Sequence, residues 1–164
     1  MTPLRRARRC AVALLAAAAC CAASAPQAES CELVLTEHRS GRELQRLTLD
    51  PAQPSATIAF EHSVLGTTVF DSYTFRPHAV LVEERFDGTG YGLPHAAEPG
   101  ERLVREGDGW RLELQRAVPP LVVRPLPPQN MRLLLAGGPL RLAELSTQAI
   151  EFRSRGCAAG TAAR

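Results

Sequence analysis

The sequence contains no lysine, so all nineteen of its basic side chains are arginine. That bias reads as the habit of a GC-rich genome rather than as a functional trait. Aromatic residues make up only 5% of the chain, and no basic stripe interleaves with them. This excludes the usual nucleic-acid surface. No apolar run reaches the ~20 residues that a spanning helix needs. Of the five cysteines, only Cys31 and Cys157 lie outside the first 21 residues, and two thiols cannot form a closed zinc site. Helical periodicity is also nearly absent, and only Leu140 to Leu145 has room for a short helix.

What the N-terminus does contain is an export signal. Arg5, Arg6, Arg8 and Arg9 form a positive region, Cys10 to Ala23 an uncharged alanine-rich core, and Ala22-Ala23-Ser24-Ala25 a small-residue end. We therefore expect a signal peptide over 1–28, a domain over 29–155 and a disordered tail over 156–164, with the product periplasmic or secreted. Two alternatives stay open. Ala17-Ala18-Ala19-Cys20 loosely resembles a lipobox, which would anchor the protein by a lipid, and an uncleaved apolar segment would anchor it directly.

Removing the signal reverses the charge. The whole chain carries +2, but the exported part sets fifteen arginines against seventeen acids, a net of −2. Its roughly 135 residues suffice for one domain with a real core. An oxidising compartment favours a disulfide between Cys31 and Cys157, one near each end. The alternative is a pair of free thiols.

The remainder reads as strand. Cys31, Leu33 and Leu35 alternate with Glu32, Val34 and Thr36, and Leu47 and Leu49 resume after a Ser40-Gly41 turn, which predicts a β-hairpin. Ile58 and Phe60, then Thr67 to Phe75 and Val80 to Phe86, continue the pattern. Trp110, Leu112 and Leu114 alternate with Arg111, Glu113 and Gln115. Leu121 to Val123, Arg132 to Leu135, Leu140 to Leu142 and Ile150 to Phe152 complete the set. Many short strands between glycine and proline turns predict an all-β fold, an antiparallel β-sandwich or partly open barrel.

Polar residues with chemical potential concentrate between Phe60 and Pro94. On strand parity His62 points with Ile58 and Phe60, and Ser63 points the other way, so the two do not form a nucleophile–base pair. Glu83 and Arg85 share one face, Glu84 and Phe86 the other. A carboxylate on the apolar side needs a partner, and His62 or Arg76 can supply it. Gly88-Thr89-Gly90-Tyr91-Gly92-Leu93-Pro94 follows a strand, but Pro94, Pro99 and Gly100 forbid the helix that a dinucleotide loop requires. His78 and His95 lack metal-ligand spacing, and we expect neither a metal nor a cofactor.

The order His62-Ser63-Val64, Glu84-Arg85 and Gly88-x-Gly90-x-Gly92-Leu93-Pro94 resembles the domain-of-unknown-function family numbered 1850. These are small exported proteins associated with TRAP-type (tripartite ATP-independent periplasmic) transporters of the TAXI kind. The resemblance implies a non-catalytic accessory beside a permease or its solute receptor, in a system for small organic anions. It implies a surface of His62, Ser63, Glu84, Arg85, Gly88, Gly90 and Gly92, converging at one edge. Arg85 would contact a small carboxylate through its guanidinium fork, and the glycine loop would present backbone amides. Leu65 stands where relatives carry an acid, a role that Asp71 is placed to take over. The alternative is a periplasmic hydrolase with His62 and Glu84 as acid and base.

The export reading has a direct test. The exported chain should begin between Ala25 and Glu29, as read by intact mass. A lipidated start at Cys20 or Cys21, or an uncleaved chain, would overturn it.

Overall fold

A computed structural model describes residues 30–157. The expected signal peptide and residues 158–164 lie outside them. Among the described residues, the alternating segments form eleven strands in two antiparallel sheets. The first hairpin is β1 (Cys31–Glu37) and β2 (Glu43–Leu49). Then come β3 (Ser55–Glu61), β4 (Thr68–Phe75), β5 (Ala79–Asp87), β6 (Arg102–Glu106) and β7 (Gly109–Ala117). β8 (Leu121–Val123) precedes a 3-10 turn at Pro127–Gln129. β9 (Arg132–Leu135), β10 (Gly138–Arg141), the one-turn helix α1 (Leu142–Leu145) and β11 (Ile150–Arg155) end the fold. The ambiguous Leu140 segment thus holds both a strand end and a helical turn. Sequence reading missed β6, whose Arg-Leu-Val-Arg-Glu lies at a sheet edge, where charge guards the open backbone.

Four strands run in the order β2-β1-β11-β8 and seven in the order β10-β9-β3-β4-β5-β7-β6. The sheets do not close on each other, so the fold is an open β-sandwich. The chain begins in the smaller sheet, crosses to the larger, returns for β8, crosses again for β9 and β10, and finishes in the smaller. The core lies between the layers: Leu33, Leu35, Ile150 and Phe152 from one, Ile58, Phe75, Leu112 and Leu133 from the other, all at most 4% exposed.

The smaller sheet also buries part of its outer face. Val34 is 1% exposed although it points away from Leu33 and Leu35. Its cross-strand neighbours are Arg46 and Arg153. Arg46 is held by Glu32 at 2.7 Å and Glu43 at 2.9 Å, and Arg153 by Glu151 at 2.6 Å. Pinned in this way, the arginine stems cover Val34 while their charged heads stay in water.

The expected disulfide is present. Cys31 and Cys157 are bridged with their Cα atoms 4.5 Å apart, across 126 positions of sequence. It ties the entry of β1 to the exit of β11, which already pair from Glu32↔Arg155 to Glu37↔Ile150. The approach requires glycine at 156: φ is +69°, and a Cβ there would lie 2.2 Å from the Ser30 carbonyl oxygen.

Replacing both cysteines with serine should lower unfolding stability by ~2–5 kcal/mol. Urea unfolding of the oxidised native protein and of the double-serine variant would measure it, and an unchanged midpoint would show that the β1–β11 pairing closes the fold unaided.

Candidate functional site

His62 follows the last residue of β3 and begins the turn into β4. Its backbone amide bonds the Thr67 carbonyl at 2.8 Å, and its carbonyl accepts from Gly66 at 2.9 Å. Its ring then does what a capping side chain does. Nδ1 accepts from the backbone amides of Val64 at 3.3 Å and Leu65 at 3.2 Å. With Nδ1 an acceptor, the proton belongs on Nε2, which donates to the Tyr91 carbonyl at 3.1 Å. Both ring nitrogens are therefore engaged with backbone, one within the turn and one across to the glycine loop.

The glycine loop bends sharply. Gly90, Tyr91 and Gly92 all have positive φ, with Tyr91 at +53°, a conformation that costs a non-glycine residue ~1–2 kcal/mol. The loop has three fastenings. Leu93 is buried at 8% exposure and its amide bonds the Gly90 carbonyl at 3.1 Å. His62 holds Tyr91. Further along, Glu101 bonds the Glu98 amide at 3.2 Å and the Arg116 guanidinium at 2.8 Å. Tyr91 and Val64 are left 70% and 61% exposed on the two loops that His62 joins. Beneath the glycine loop lies a groove of about 490 Å³ lined by Tyr91, Leu93, Glu98, Glu101, Leu112 and Arg116.

Glu84 is placed elsewhere. In register it stands opposite Asp71, which stands opposite Ile58. Glu84 is therefore two strands over from His62 and four residues along, a backbone separation of roughly 16 Å. The expected pairing of Glu84 with His62 or Arg76 does not form. His62 is used by backbone, and Arg76 donates to the carbonyls of Pro51 and Ala52. What faces Glu84 is a second acid. Asp71 shares the inward face of β4 with Val69, Tyr73 and Phe75, and its Oδ1 is buried with no hydrogen-bond partner.

This arrangement makes the acids reluctant to ionise. Burial, then the charge of Glu84, pushes Asp71 up to about 7, against a smaller opposing effect of the Tyr73 hydroxyl. Burial also raises Glu84, while Arg116 pulls it back and Glu101 pushes it up. Tyr73 is raised as well, by burial and then by the charge of Asp71. Sequence parity held the signal for this cluster. Asp71 falls on the core phase of β4, and Arg116 on the same phase of β7 as Leu112 and Leu114.

Arg85 occupies the opposite face. It bonds Glu83 through Nε at 3.0 Å, and its guanidinium carbon lies 5.8 Å from the centre of the Phe70 ring. Glu83 in turn faces Arg111, which also pairs with Glu113. The structure thus brings His62, Ser63 and Gly88 to Gly92 to one end of the larger sheet. Glu84 sits inside the sandwich and Arg85 outside it. Among the described residues, no three His, Cys, Asp or Glu side chains are grouped to hold a metal ion.

Asp71 has a stability consequence with a definite sign. Its acid form is favoured by folding, so its contribution is complete below about pH 4 and is lost as pH rises through about 7. The full shift corresponds to roughly 4 kcal/mol. Asp71→Asn should therefore raise unfolding stability at about pH 8 by ~2–4 kcal/mol and do little near pH 4. Denaturant titrations across that range would show it. A variant that keeps the native pH profile would mean that another group is responsible.

No curated protein and no solved structure matches this chain. A family model does: the one described as Domain of unknown function (DUF1850) matches residues 56–142, from β3 to the start of α1. That span is more than half of the chain and contains the His62 turn, the acidic pair and the glycine loop, and the protein belongs to the DUF1850 family.

Proposed function

We propose that this chain is an exported accessory protein without a catalytic role. It docks on the permease or the solute receptor of a TRAP-type transporter for small organic anions. The docking surface is the edge where the His62 turn meets the glycine loop. The observation that carries this reading is the use of both His62 ring nitrogens as backbone clamps. A histidine so engaged has no free nitrogen with which to take a proton from a substrate. Its work is to fix two loops, and the side chains those loops present are Tyr91 and Val64.

An exposed tyrosine on a rigid, conformationally costly backbone suits recognition. It offers a large apolar face with a polar tip and has few rotamers to lose on binding. The transport setting rests on the family to which the chain belongs. Arg85 is the candidate contact for a small carboxylate. It lines a separate groove of about 310 Å³ with Phe70, Thr68 and Trp110. The hydrolase alternative required His62 and Glu84 to work as a pair, and the strand register keeps them apart.

Co-purification of the tagged protein with a TRAP-type permease and receptor tests the reading. The native protein should capture one of them, and Tyr91→Ala combined with Val64→Ser should reduce capture at least tenfold. Both positions are exposed, so the fold should change by less than about 0.5 kcal/mol. No capture by the native protein, or full capture by the double variant, would overturn it.

A further inference from the structure

The glycine loop sits on a charge imbalance. Three carboxylates, Asp71, Glu84 and Glu101, lie on or beside the inward face of β4, β5 and β7, and one guanidinium, Arg116, bonds Glu101 and acts on Glu84. Glu101 is 13% exposed and holds the loop twice, through the Glu98 amide and through Arg116. Asp71 and Glu84 are direct cross-strand neighbours, where like charges repel, and Asp71 Oδ1 has no donor facing it.

We propose that the 98–101 end of the loop carrying Tyr91 is released when the Asp71–Glu84 pair loses its last proton. This inference rests on the docking reading only for its purpose, since the release itself needs no partner. While one proton stays on the pair, Arg116 is free to hold Glu101, and the loop lies down on β7. When the proton leaves, two anions stand together inside the sheet with no other cation. Arg116 is then drawn from Glu101 toward Glu84. Glu101 loses its charge partner, and the 98–101 end of the loop loses its anchor. The groove beneath runs along Glu98 and Glu101, so this end of the loop can lift while Leu93 stays in the core.

The surroundings limit what else can titrate here. β3 faces Asp71 with Ala56 and Ile58, and the smaller sheet lends the core apolar side chains such as Leu33, Leu35 and Phe152. β4 adds the Tyr73 hydroxyl, β5 adds Glu84, and β7 adds Arg116. The loop itself adds His95, Glu98 and Glu101. His62 also touches the loop, through Nε2 on the Tyr91 carbonyl.

Hydrogen exchange of the full exported protein, corrected for the intrinsic rate, separates these possibilities. Amides of residues 95–101 should lose at least fivefold of their protection between about pH 6 and about pH 8.5, relative to amides of β4 and β5. That loss should vanish in Asp71→Asn and in Glu84→Gln, either of which serves if the other fails to fold. Glu101→Gln should leave the loop loose at both pH values. Equal protection of the native loop at both pH values would overturn the proposal. So would a loss that persists in the folded carboxamide variants. Neither result touches the docking reading, which is decided by capture through Tyr91 and Val64.

Discussion

The pairing of the first strand with the last is the constraint on which the rest of this sandwich depends. β1 has only β2 beside it until β11 arrives, and β8 joins the smaller sheet only through β11. One layer of the core therefore cannot be completed until the chain has crossed between sheets and come back. Such long-range pairing must overcome loop-closure entropy before it gains contacts. The Cys31–Cys157 bridge bears directly on this step, because it removes closure entropy from the unfolded chain at the place where the two ends meet. Gly156 makes room for it, since any side chain there would strike the Ser30 carbonyl.

Within that frame the larger sheet carries a feature that costs stability. Most of its inward positions are apolar, yet Asp71 and Glu84 face each other on the same side as Phe75 and Leu112. Hydrophobic residues of similar volume would stabilise the sheet more, because a buried unpaired carboxylate is expensive. The cost is lessened by burial, which favours the acid form of Asp71, and by Arg116, which acts on Glu84 while it bonds Glu101. Polar groups held in this way at a loop-covered edge make this part of the sheet sensitive to proton activity.

The His62 turn solves a different problem. Two loops from different strand connections must be held at a fixed separation. One imidazole does this by accepting two amides with one nitrogen and donating to a carbonyl with the other. The result is a rigid end to the sheet that still leaves Tyr91 and Val64 in solvent. The opposite face works by another principle: Arg85, Glu83, Arg111 and Glu113 neutralise one another in a ladder, and Phe70 lies under the first of them.

The sequence by itself determined most of the strands, because half-buried strands alternate or gather β-branched and aromatic residues, and the charged edge strand β6 carries neither signal clearly. It determined an antiparallel all-β fold, sandwich or partly open barrel, since so many short strands with tight turns leave no helix to cover a sheet. The disulfide was also readable, because only two cysteines remained outside the N-terminal segment. Strand parity placed Glu83 with Arg85 and set Glu84 on the other face. Only the tertiary structure decided which strands became neighbours. Register is a long-range property: it alone sets Asp71 opposite Glu84 and leaves His62 some four residues further along. Only the tertiary structure also showed that His62 is spent on backbone. One of the bonds that use it reaches a loop twenty-nine positions away, which no local pattern encodes.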